Sequence, residues 1–226
     1  MFKYIVAVTT AGLWIAGASS AFAQSGDASH AAKLPPDIDP VTLTRLPQMN
    51  RADVKPVDQA LYDKLIGKDP APKNGPRAVM LYSPKAAEPI ESLNGFLRYN
   101  GSLSPRHTEV AICVAAWEIE QQYEYSAHEP AALRFGAPQA VIDTIKFNRE
   151  PAGLSAEETL IIKFGRQLLR EHKLDSALFA ESVKLFGRKG TVELATVIGD
   201  YVMMGIVLTA IDQHLPPDRP ALLPPR

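Results

Sequence analysis

The chain has 226 residues, with 24 Lys and Arg against 25 Asp and Glu and a formal net charge of −1. That balance, with no basic block, argues against nucleic acid as a partner. The single cysteine, Cys113, excludes an internal disulfide, and neither a zinc-type Cys/His spacing nor a glycine-rich phosphate loop is written in the chain, so no metal and no cofactor is expected.

Lys3 precedes an apolar stretch from Tyr4 to Ala18, and Ala21-Phe22-Ala23 follows it. A charged start, an apolar core and a small-residue box predict a secretory signal peptide over 1–23, cleaved after Ala23. The apolar core is short for a span of ~20 residues, so the mature protein is expected to be periplasmic or secreted, with no membrane attachment after cleavage. Residues 24–53 carry prolines at 35, 36, 40 and 47 and read as a flexible leader that can drape over the domain or a neighbouring subunit.

The domain is placed at 54–215. Val57, Leu61 and Leu65 predict a short helix over 54–65, and Gly67 to Pro76 breaks structure. Arg77 to Tyr82 is a short apolar run that periodicity assigns to neither strand nor helix. Pro89 to Tyr99 reads as a helix with Ile90, Leu93 and Leu97 on one side.

Ser104-Pro105 is a cap followed by proline at the first helical position, and Val110 to Trp117 is an unbroken apolar run. A helix apolar on all sides must be buried on all sides. A polar and aromatic cluster follows, from Glu118 through Gln121, Tyr123 and Glu124 to His128 and Glu129. The helical pattern then continues to Phe135 and stops at Gly136. Pro138 to Phe147 is a further helix, and Ser155 to Glu158 is a capping box opening an amphipathic helix to His172. Asp175 caps a helix ending at Gly187. Arg188 to His214 is the longest helical stretch, interrupted by Glu193 and Asp200, which argue for a core or subunit interface over a membrane span. Pro216 ends it, leaving a proline-rich tail over 216–226. With no set of strands, the fold is expected to be all-α.

The stretch from Leu103 to His128 resembles the carboxymuconolactone decarboxylase family, which includes alkyl hydroperoxidase D. That family opens a helix with P-R-x-x-E, follows it with a buried run, and then carries C-x-x-C-x-x-x-H. Pro105, Arg106, Glu109 and His128 match, while Gln121 and Glu124 stand at the two cysteine positions. The resemblance runs from about Ala60 to about Leu215. It implies an oligomeric orthogonal helical bundle, with the Arg77–Tyr82 segment entering as loop and short helix and the chain turning back before the histidine. It also implies Glu109 and His128 as an acid/base pair, and cofactor-free decarboxylation or lactone conversion of a small organic acid or lactone. The alternatives are an antioxidant peroxidase, disfavoured because both thiols are missing, and a non-catalytic ligand-binding or scaffold protein.

Among candidate catalytic residues, an imidazole titrating near neutrality suits His128 to proton transfer. Glu109 precedes a dry apolar run, where desolvation is expected to raise its pKa. Glu124 lies four residues before His128, on one helical face, either orienting the imidazole, serving as a second carboxylate, or standing solvated. Arg98, Tyr123 and Trp117 are candidates for binding substrate, with Tyr82, Tyr99 and Tyr125 nearby in the chain, against the alternative that the aromatics are core. Cys113, inside the apolar run, reads as a buried small hydrophobe.

Overall fold

The structure, a computed structural model, describes residues 34–67 and 75–225. The signal peptide with its cleavage box, the start of the leader and most of the breaker segment lie outside the described residues. Within them are eight α-helices, α1 (Gln59–Leu65), α2 (Pro76–Met80), α3 (Pro84–Tyr99), α4 (Pro105–Glu118), α5 (Gln122–Arg134), α6 (Gln139–Lys146), α7 (Ala156–Glu171) and α8 (Ser176–Ala210). The described residues form no strand beyond an isolated bridge between Asp39 and Thr44.

α4 is the axis of the bundle. The Ser104 hydroxyl accepts from the His107 backbone N–H at 3.2 Å, and Pro105 occupies the first helical position, where no N–H is needed. Every side chain from Thr108 to Trp117 is buried. Such a helix needs partners all round, and α5, α6, α7 and α8 supply them. Contact with α7 is close enough to require glycine: a Cβ on Gly165 would stand 2.5 Å from Val114 Cγ1. α7 begins at the expected capping box, with Ser155 and Glu158 bonded reciprocally. α8 is capped by Asp175, which accepts from the Leu178 N–H at 2.8 Å, and breaks at Gly187, whose φ is +69°. Glu193 and Asp200, the two carboxylates of its apolar half, turn into the protein. Glu193 accepts from the Ser102 N–H at 2.6 Å and from the Ser102 hydroxyl, and Asp200 accepts from the Asn94 amide at 2.9 Å.

Several boundaries differ from those read in the sequence. α3 begins at Pro84, five residues before Pro89, because Ser83-Pro84 supplies the start and Pro89 forfeits only one hydrogen bond near the first turn. Of the Arg77–Tyr82 run, Arg77 to Met80 is helical, opened by Gly75 at φ +91° and Pro76, and Leu81 and Tyr82 form a turn. A 3-10 turn at Pro56–Asp58 leads into α1, and α8 ends at Ala210, before His214.

The described part of the leader drapes over the end of α8. Arg45 N–H donates to Ile211 O at 2.9 Å, His214 N–H donates to Leu43 O at 2.8 Å, and Ile38 and Leu43 are buried. The tail after Pro216 is irregular, and its Leu222 N–H donates to the Ser126 hydroxyl on α5 at 3.0 Å.

Candidate active site

Along one straight helix, Glu109 and His128 would stand roughly 28 Å apart. The chain turns back between α4 and α5 instead, although no Gly, Pro or Asn marks the turn. Glu120 takes φ +57°, a conformation uncommon for a residue with a Cβ. Gln121 holds it there. Its Oε1 accepts from the Tyr123 N–H at 2.9 Å, capping α5, while its Nε2 donates to Thr209 Oγ1 at 2.9 Å and to Gly205 O at 3.2 Å on α8. Gly205 makes room, since a Cβ there would lie 2.2 Å from Ile119 Cδ1. Gln121, at one of the two positions where the resemblance has cysteine, is therefore the residue that builds the turn.

The return brings four charged side chains together. His128 Nδ1–H donates to Glu109 Oε2 at 2.6 Å, and Arg98 Nη2–H donates to the other oxygen of Glu109 at 2.7 Å. His128 Nε2 lies 3.3 Å from Glu124 Oε2, one turn back on α5. Glu109, Glu124 and His128 are 2, 4 and 8 % exposed. The Tyr201 ring meets the imidazole edge-on, with centroids 4.9 Å apart.

Burial pushes the His128 imidazole down, but its hydrogen bonds to Glu109 and Glu124, and their charges, outweigh this and hold it above its ordinary value. Burial likewise pushes the Glu109 carboxyl up, as read from the sequence. The expected rise does not survive, because His128 and Arg98 together hold the carboxyl below its ordinary value. The cluster thus sets the imidazole between two carboxyl groups, with Arg98 on the second oxygen of Glu109. Nearby, burial raises Asp200 despite the Asn94 hydrogen bond, and burial also raises the Tyr201 phenol.

His128 and Glu124 open on a cavity of about 280 Å³, lined also by Arg98, Tyr99 and Tyr123. Hydrocarbon walls come from Leu65, Met80, Ile90 and Met204. A volume near the lower end of small-molecule pockets suits a metabolite of a few carbons. The predicted residues thus converge with one exception. Trp117 is absent from this lining; its indole N–H donates to Lys146 O at 3.0 Å, and its ring stacks under Arg170. Tyr82 is turned to Pro47 O, Tyr125 is fully buried in the core, and Cys113 is buried, with burial pushing its thiol well up. The lining also includes Asn94, Tyr201 and Arg219, which the sequence did not single out. Tyr201 is hidden in an apolar run, and Arg219 sits in a proline-rich tail.

No family model matches the chain, and no curated protein matches it. Its architecture is similar to the crystal structure of an alkylhydroperoxidase AhpD core, an uncharacterized peroxidase-related protein from Ralstonia eutropha JMP134. The TM-score is 0.63 at 13 % identity, over 78 % of this chain and 94 % of that one. The fold is that of the AhpD core. At this identity the likeness carries the AhpD-like fold, and it does not reach the carboxymuconolactone decarboxylase branch.

Proposed function

We propose that this protein is a cofactor-free acid/base catalyst acting on a small organic acid or lactone, by decarboxylation or lactone conversion. One observation carries the reading: an imidazole is clamped between two carboxylates at the wall of a cavity of metabolite size. Glu109 fixes the ring through Nδ1, so Nε2 carries the mobile proton toward Glu124 and the cavity. In decarboxylation, the electron pair of the breaking C–C bond stays on the substrate carbon and carbon dioxide leaves. The carbon then takes a proton from the His128–Glu124 pair, and solvent restores it. Glu109 keeps the imidazole protonated until that step, and Arg98 keeps Glu109 ionised.

A thiol peroxidase, suggested by the description of the structural neighbour, is disfavoured. Gln121 and Glu124 stand where thiols would be needed, and Cys113 is buried without a second cysteine. Turnover of a panel of lactones, β-keto acids and hydroperoxides tests the reading. His128→Ala is expected to lose activity on a lactone or keto acid by about 10²–10⁴-fold, the usual worth of a general acid or base. Retained activity in that variant rejects the acid/base role, and no turnover of any acid or lactone favours a ligand-binding scaffold.

A further inference from the structure

The cavity lining includes the side chains of three arginines, and two are already neutralised. Arg77 Nη2 pairs with Glu91 at 3.0 Å, and Arg98 Nη2 pairs with Glu109 at 2.7 Å. The third, Arg219, makes no ion pair among the described residues. Its guanidinium lies over the Tyr123 ring, 4.8 Å from the centroid, and its Nη1 is buried without an acceptor. A guanidinium presents five donors and no acceptor, so a buried N–H without a partner at a cavity wall is a place for an anion.

Arg219 is also held in position. The tail is pinned before it, where Gln213 Nε2 donates to Thr42 O and to Leu43 O, each at 3.3 Å, and Gln213 Oε1 accepts from the Gly75 N–H at 2.9 Å. It is pinned after it by the bond from Leu222 to Ser126, with Leu222 and Leu223 packed on the core. Between these anchors the Arg219 N–H closes a turn on Pro216 O at 2.9 Å. The 213–223 segment is thus a strap that carries to the cavity wall, beside Tyr123, a cation with no ion pair among the described residues.

We propose that Arg219 is the carboxylate-binding residue of this site, so that the substrate is a small organic acid anchored at the strap with its hydrocarbon part toward His128. This rests on the acid/base reading for the chemistry, but not for the binding. A planar carboxylate matches the guanidinium fork. The apolar wall, from Leu65, Met80, Ile90 and Met204, accepts a short carbon chain.

Calorimetric titration of the full chain with succinate and with dimethyl succinate tests the proposal. The wild type is expected to prefer the dianion over the ester. Arg219→Gln is expected to weaken succinate binding tenfold or more while leaving the melting temperature and the affinity for the ester unchanged, and Arg219→Lys to recover part of the loss. Succinate binding by Arg219→Gln equal to wild type overturns the assignment, as does a wild type that binds neither probe or shows no preference for the charged one. The titration reports on Arg219 alone, whereas turnover by His128→Ala reports on the acid/base reading, so either can fail without the other.

Discussion

Glu109→Gln keeps the size of the side chain and removes the charge at the centre of the cluster. The wild-type carboxylate accepts from His128 and from Arg98, one on each oxygen, at 2.6 and 2.7 Å. A carboxamide has only one accepting end, so its NH₂ group must face one of the two donors. Removing one partner from a buried charged network costs about 3–5 kcal/mol, because the other charges stay desolvated. At about 2–4 °C per kcal/mol for a chain of this size, the expected fall in melting temperature is about 6–20 °C.

The pH dependence separates this mechanism from a packing defect. His128 is raised above its ordinary 6.5, so its contribution is complete below that value and fades as pH rises through its folded pKa. Glu109 is depressed below its ordinary 4.5, so its contribution is complete above that value and fades as pH falls through its folded pKa. Both are in force between the two ordinary values. Thermal unfolding followed by circular dichroism is therefore expected to show a larger penalty for Glu109→Gln near pH ~6 than near pH ~9, the penalty shrinking as pH rises through the folded pKa of the imidazole. A fall of less than ~3 °C at pH ~6, or equal penalties at both pH values, refutes the reasoning.

Gln121→Ala removes the α5 cap and two bonds to α8, and is expected to cost about 2–3 kcal/mol in chemical denaturation while weakening any His128-dependent activity, because the turn also sets the approach of α5 to α4; unchanged stability contradicts this role. The outward side of α8 presents Val192 and Ile206, both exposed, with Gly199 between them and Met203 partly covered. A homo-oligomer through this face is expected, with Ile206→Glu reducing the mass measured by light scattering to that of one chain, and a monomeric wild type at micromolar concentration rules it out. Peroxide turnover with a dithiol donor is expected to be absent, and activity that disappears in Cys113→Ser would reinstate a thiol mechanism.

Much of this molecule is legible in its sequence because the signals are local. The cap at Ser104, the box at Ser155, the glycine at 187 and the apolar run of α4 each act within a few residues, and the structure keeps all four. The pairing of Glu109 with His128 was reachable only through a family pattern, since nothing between Glu118 and Tyr123 spells a turn. That turn exists because Gln121 bonds to α8, 84 and 88 residues further on. The same holds for the strap, where a contact across 96 residues helps to carry Arg219 to the cavity. Trp117 shows the converse: it follows the apolar run and precedes the polar cluster, yet its helical phase aims the indole at Lys146 and away from His128. Local hydrogen bonds and periodicity determine where helices start and stop; which of their side chains meet depends on packing partners distant in the chain, and only the tertiary structure supplies those.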